Sequence, residues 1–82
     1  MTNTKKLVKI DKSVQFTTVS GSSLIESYAR AAGDLALKLK NGFTYIYKGV
    51  DAATYNGFVE APSKGKYFGT NIRNKFVAEQ AE

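Results

Sequence analysis

Two groups of side chains have the types and spacing for chemistry. The first is Phe43, Tyr45 and Tyr47, an aromatic at every second position, with Lys38 and Lys40 just upstream. On a strand, residues two apart share a face. Three rings on one face form a stacking platform for bases, and neighbouring ammonium groups meet phosphates. The second group is Ser63-Lys64-Gly65-Lys66, with Arg73 further on. Serine and glycine let successive backbone N–H groups converge, and lysines add charge, which together make an anion-binding nest. From Ala61 to Ala78 every charged residue is basic: Lys64, Lys66, Arg73 and Lys75. Arg73 lies about two helical turns beyond Lys66 and is expected to grip the same anion bidentately. The spacing is not that of a P-loop. Each group also has a plainer reading. Aromatics favour strands, and lysines in a turn are commonly just solvated. Lys5, Lys6, Lys9 and Lys12 suit a solubilised edge strand or tail.

Catalysis finds little support. The chain has no histidine and no cysteine, so it lacks the commonest general base, thiolate ligands and nucleophile pairs with histidine. The carboxylates Asp11, Glu26, Asp34, Asp51, Glu60, Glu79 and Glu82 show no spacing of a metal site or acid–base dyad. A non-enzymatic protein without a cofactor is expected. The 82 residues suffice for one domain, which at this size buries only roughly 60–65% of its unfolded surface. Twelve Lys and Arg against seven Asp and Glu give a net charge of +5, which favours anionic partners such as nucleotides or nucleic acid. No apolar run approaches the ~20 residues that cross a bilayer, and no signal-peptide core is seen, so a cytoplasmic protein without membrane contact is expected.

The elements that must position these groups follow from periodicity. Lys5–Ile10, Val14–Val19 and Leu24–Tyr28 read as strands, the last with a helical alternative over Glu26–Ala32. Ser20-Gly21-Ser22-Ser23 reads as a turn. Leu35–Lys40 alternates, Asn41-Gly42 follows, and Phe43–Lys48 continues. Asn-Gly between two such runs signals a hairpin with a two-residue type I′ turn. That loop puts Lys40 opposite Phe43, Lys38 opposite Tyr45 and Leu37 opposite Ile46. Leu35, Leu37, Leu39 and Ile46 then face the core, while Lys38, Lys40, Phe43, Tyr45 and Tyr47 share the other face. Asp51 is an N-cap for a helix over Ala52–Ala61, stopped by Pro62. A second helix carries Phe68, Ile72 and Phe76, weakened by Gly69. The last residues are expected to fray.

From Ser20 to Phe76 the sequence resembles the KTSC domain, a family found at the C-terminus of some lysyl-tRNA synthetases and as small stand-alone bacterial and phage proteins. Tyr45-Ile46-Tyr47 after Asn41-Gly42 matches its Tyr-x-Tyr motif. Val50-Asp51 matches its helix entry, with Asp51 where proline is usual. Pro62-Ser63-Lys64-Gly65-Lys66-Tyr67-Phe68 with Asn71-Ile72-Arg73 matches its tail, and Val19–Ile25 its serine-rich opening. The resemblance implies the fold and leaves the ligand open, with RNA binding as the expectation it carries.

These readings converge on an α+β domain: a small antiparallel β-meander with two short C-terminal α-helices packed on one face. Residues 1–15 lie outside the family match, 16–78 form the KTSC-like domain, and 79–82 are a tail. The expected function is binding of a phosphate-bearing nucleotide. Ser63, Lys64, Gly65, Lys66 and Arg73 hold phosphate, and Phe43, Tyr45 and Tyr47 stack on the base. A phage-type protein that sequesters a cyclic or other nucleotide signal would close its pockets between subunits, so a homo-oligomer is expected. The alternatives are RNA or single-stranded nucleic acid across the sheet, and a protein-interaction module.

Overall fold

The computed structural model describes Ile10 and residues 14–81. Five strands form one antiparallel sheet in the order β1 (Thr17–Thr18), β2 (Ile25–Ala31), β3 (Asp34–Leu39), β4 (Thr44–Tyr47) and β5 (Ala78–Ala81). Helices α1 (Ala52–Glu60) and α2 (Lys64–Asn71) lie between β4 and β5 in the chain. Their buried residues, Phe58 and Phe68, join Ile25, Leu35, Leu37, Tyr47, Val50 and Ile72 in one core. This is the expected α+β meander with two helices over the leucine face.

The hairpin that joins β3 to β4 corrects the predicted register. Leu37 lies opposite Tyr45, and Leu35 opposite Tyr47. Leu39 N–H donates to the Phe43 carbonyl at 2.9 Å, and Gly42 N–H to the Leu39 carbonyl at 3.0 Å. The loop is therefore three residues, Lys40-Asn41-Gly42. Gly42 takes φ +96° while Asn41 keeps a negative φ. This is a type I turn closed by a glycine bulge, the other hairpin that Asn-Gly can build. A one-residue slip exchanges the faces of β4. Tyr45 and Tyr47 join the leucines under the helices, and Ile46 moves to the face of Ala36 and Lys38.

The two-residue turn occurs elsewhere. Ala31 pairs with Asp34, leaving Ala32-Gly33 as the loop with φ +51° and +82°. Positive φ at both residues is the type I′ pattern, imposed here on an alanine. The helical alternative for Glu26–Ala32 is thereby overturned: these residues belong to β2 and its turn. A bulge between Ile25 and Ser27 sets Ile25 opposite Leu39, so that Ile25 is buried and Glu26 exposed. The strand expected over Val14–Val19 shortens to Thr17–Thr18. The one expected over Lys5–Ile10, and Lys5, Lys6, Lys9 and Lys12 with it, falls outside the described residues, apart from Ile10, which is in no strand.

Asp51 caps α1 as expected, its carboxylate accepting from Thr54 N at 3.1 Å and Thr54 Oγ1 at 2.8 Å. Ala61 ends the helix with ψ 135°, the extended conformation that a following proline demands. Ser63 is not part of a loop but the N-cap of α2, its Oγ accepting from Lys66 N at 3.3 Å. Lys64, Gly65 and Lys66 are thus the first turn of a helix that ends at Asn71, so Phe76 packs against the core from outside it. The two helices touch at Gly57, where Tyr67 lies across α1 and donates its hydroxyl to the Thr54 carbonyl at 3.1 Å. The C-terminal residues Ala78–Ala81 are not frayed. They pair along β4, Tyr45 with Gln80 and Tyr47 with Ala78.

Candidate functional site

The serine-rich turn and the start of α2 meet. Gly21 turns the chain with φ +81°, and Ser22 Oγ accepts from Leu24 N at 3.2 Å and Ile25 N at 3.0 Å. This side-chain turn holds Ser22 against α2: a Cβ built on Gly65 would lie 3.7 Å from its Oγ. Between the two segments runs a cleft of about 430 Å³, with Gly21–Leu24 on one wall and Ser63, Gly65 and Lys66 on the other. A smaller cavity of about 150 Å³ continues it past Ser20, Pro62 and Lys64. No carboxylate of the described residues lines either.

The electrostatics of this end of α2 are one-sided. Ser63 Oγ satisfies Lys66 N–H, and Tyr67 N–H begins the helical ladder to the Ser63 carbonyl at 3.1 Å. The N–H groups of Lys64 and Gly65 have no acceptor among the described residues. These amides, with the aligned peptide dipoles, give the helix start a partial positive charge. The first turn contains no acid; it contains Lys64 and Lys66. Lysines at the positive end oppose the dipole and disfavour the helix by a few tenths of a kcal/mol or more. Gly65 disfavours it by about 1 kcal/mol relative to alanine. The Ser63 cap offsets part of this cost, while the lysine charges find no carboxylate partner among the described residues; Lys64 Nζ reaches the Ala61 carbonyl at 3.5 Å.

The other predicted site residues lie apart from the cleft. Arg73 sits beyond the C-terminal end of α2, about 10 Å along the axis from Lys66, with its N–H on the Phe68 carbonyl at 2.9 Å. It is close to Tyr47. Burial pushes the Tyr47 hydroxyl pKa up, and the Arg73 charge acts against that rise. The Tyr47 ring is buried edge-on to Phe68, with centroids 5.3 Å apart. Tyr45 is half-buried, and Phe43 is exposed and tilted 47° against it at 6.4 Å. The structure therefore brings Ser63, Lys64, Gly65 and Lys66 together and leaves Phe43, Tyr45, Tyr47 and Arg73 outside the cleft. Ser22 and Ser23 are additions to the site. Their only sequence signal was a serine-rich turn, and nothing local says that it faces Ser63.

At the β4 end, Asp34 Oδ2 accepts from Lys48 Nζ at 2.8 Å and Oδ1 from Gly49 N at 2.8 Å. The Lys48 ammonium, then the Gly49 amide, hold the Asp34 carboxyl below its usual range. A carboxyl depressed on folding stabilises fully above its unfolded value, near 4, and that contribution is lost as pH falls through the folded value. The stability gap between wild type and Asp34→Asn, from urea unfolding at a series of pH values, should therefore shrink below about pH 4. A gap independent of pH would show that the contact contributes nothing through charge.

No group of three or more acidic side chains suited to a metal ion occurs among the described residues, and none of their helices is long and apolar enough to cross a membrane. The model of the KTSC domain matches residues 21–76, from the serine turn to the end of the segment after α2. The chain belongs to the KTSC domain family. A crystal structure of a KTSC domain protein from Yersinia pestis is similar to it, with 32% sequence identity and a TM-score of 0.76 over 84% of this chain and 99% of that one. No curated protein matches it. Both walls of the cleft, Gly21–Leu24 and Ser63–Lys66, fall inside the KTSC match.

Proposed function

We propose that this KTSC domain is a non-enzymatic, cytoplasmic module that binds a phosphate-bearing nucleotide, with the phosphate in the cleft between the Ser20–Leu24 turn and the start of α2. The observation that carries this reading is the lysine pair at the positive end of α2, beside two amides without acceptors among the described residues. That arrangement costs helix stability and gains it back only when an anion arrives. Ser22, Ser23 and Ser63 supply hydroxyls at the same cleft. The cleft is open along one side, so full enclosure of a nucleotide calls for a second copy of the chain. Sequestration of a nucleotide signal, as a phage protein would perform it, fits a site of this kind. The same openness, with Phe43 48% exposed, favours single-stranded nucleic acid as the second reading.

Calorimetric titration with mononucleotides and cyclic nucleotides tests the proposal. Lys66→Ala should weaken binding about tenfold, roughly 1.4 kcal/mol, as a charged hydrogen bond to phosphate is lost, with the thermal melt of the free protein unchanged or slightly raised. Equal affinity in the variant would remove Lys66 from the site. Salt separates the two readings, because a polymer releases counterions from several phosphates and its affinity falls steeply. Tight, salt-sensitive binding of oligonucleotides alone would favour the second.

A further inference from the structure

On the far side of Lys66 lies a shallow, open groove of about 420 Å³. Ser63 and Lys66 line both this groove and the serine cleft, so the two adjoin at the first turn of α2. Their chemistry differs. This groove is lined by Ala61, Pro62 and Tyr67, with Thr70 and Asn71 at its end and, among the described residues, no cation besides Lys66. Tyr67 is held still: its hydroxyl is bound to the Thr54 carbonyl, and its ring is backed by Gly57. Asn71 Nδ2 donates to the Tyr67 carbonyl at 3.4 Å, which leaves Asn71 Oδ1 as an acceptor. A flat apolar body with a hydrogen-bond donor at one end and an anion at the other matches this order of groups. We infer that the groove between Pro62, Tyr67 and Asn71 is a base subsite, which takes the base of a nucleotide whose phosphate lies beyond Lys66. The inference rests on the phosphate reading and moves base recognition from the β4 tyrosines to Tyr67. The volume lies within the roughly 300–1,000 Å³ of small-molecule sites, and an immobilised ring beside proline stacks on a base at little entropic cost.

The test is amide-resolved NMR titration of the full chain with inorganic phosphate, ribose 5-phosphate, adenosine, and each of the four common ribonucleoside 5′-monophosphates. Phosphate and ribose 5-phosphate should shift Ser22, Gly65 and Lys66. At least one monophosphate should bind tenfold or more tightly than ribose 5-phosphate and also shift Tyr67, Thr70 and Asn71. Thr70→Trp, a change at an exposed position that fills the groove, should return that monophosphate to the affinity of ribose 5-phosphate and leave ribose 5-phosphate unaffected. Equal affinity for ribose 5-phosphate and all four monophosphates, with the same amides shifted, overturns the subsite and leaves the phosphate reading standing. Shifts at Tyr67 and Asn71 by adenosine without any response to phosphate would support the subsite and overturn the phosphate reading. No shift of Tyr67, Thr70 or Asn71 by any probe overturns the inference.

Discussion

Tyr47→Ala should lower the melting temperature by about 15–25 °C, whereas Phe43→Ala should leave it nearly unchanged. Tyr47 is 7% exposed, faces Leu35 across the β3–β4 ladder and meets Phe68 edge-on. Truncating a buried aromatic costs about 3–5 kcal/mol in lost transfer energy and cavity, and each kcal/mol is worth about 4–8 °C in a domain of this size. Phe43 flanks the turn with 48% of its surface in water, where a substitution usually stays within about 0.5 kcal/mol. A two-residue Asn-Gly loop would instead put both rings on the face opposite the leucines and give two small losses. Thermal melts of the two variants decide between the registers, and similar shifts for both would contradict the three-residue loop.

Gly57→Ala and Gly69→Ala should move stability in opposite directions. Alanine normally gains up to about 1 kcal/mol over glycine inside a helix. Gly69 follows that rule, since nothing lies within 4 Å of the added methyl. Gly57 cannot. A Cβ there would fall on the Tyr67 hydroxyl and within 2.8 Å of its Cζ. Tyr67 must then leave Thr54, or α1 must move from α2. Overpacking of this kind costs about 1–3 kcal/mol, and the lost hydrogen bond adds to it, so a net loss of about 2–3 kcal/mol is expected. Urea unfolding measures both. Stabilisation by Gly57→Ala would mean that the helices do not touch there.

Most of the architecture was legible because it rests on strong local signals. Leu35–Leu39 alternates, Asp51 caps, and Pro62 stops a helix, and each does so in the structure. The misses have local causes too. Asn41-Gly42 accommodates two hairpin loops, and both leave an alternating pattern on each side, so the residue pair announces the turn without its length. Ala32-Gly33 forms the tighter turn against the preference of alanine, because β2 and β3 pair through to Ala31 and Asp34. Ala78-Glu79-Gln80-Ala81 has little strand propensity and is ordered by its ladder to β4. The site was half legible. Ser63–Lys66 lies together in the chain, and a basic, glycine-containing segment was visible, though Lys-Gly-Lys conceals a helix start. Its partner wall, Ser22 and Ser23, comes from the opposite end of the domain sequence. Only the fold, which sets the turn before β2 against the start of α2, shows that the two belong together, and that Arg73, for all its charge, is a helix length away.

The most direct test of a phosphate site in the serine cleft is amide-resolved NMR titration with pyrophosphate, which carries the anion without a base. Saturable shifts centred on Ser22, Ser23, Lys64, Gly65 and Lys66 are predicted, and they should vanish when Lys64 and Lys66 are both alanine. Absence of saturable shifts in the wild type, or shifts centred instead on Tyr45, Tyr47 and Arg73, would contradict it.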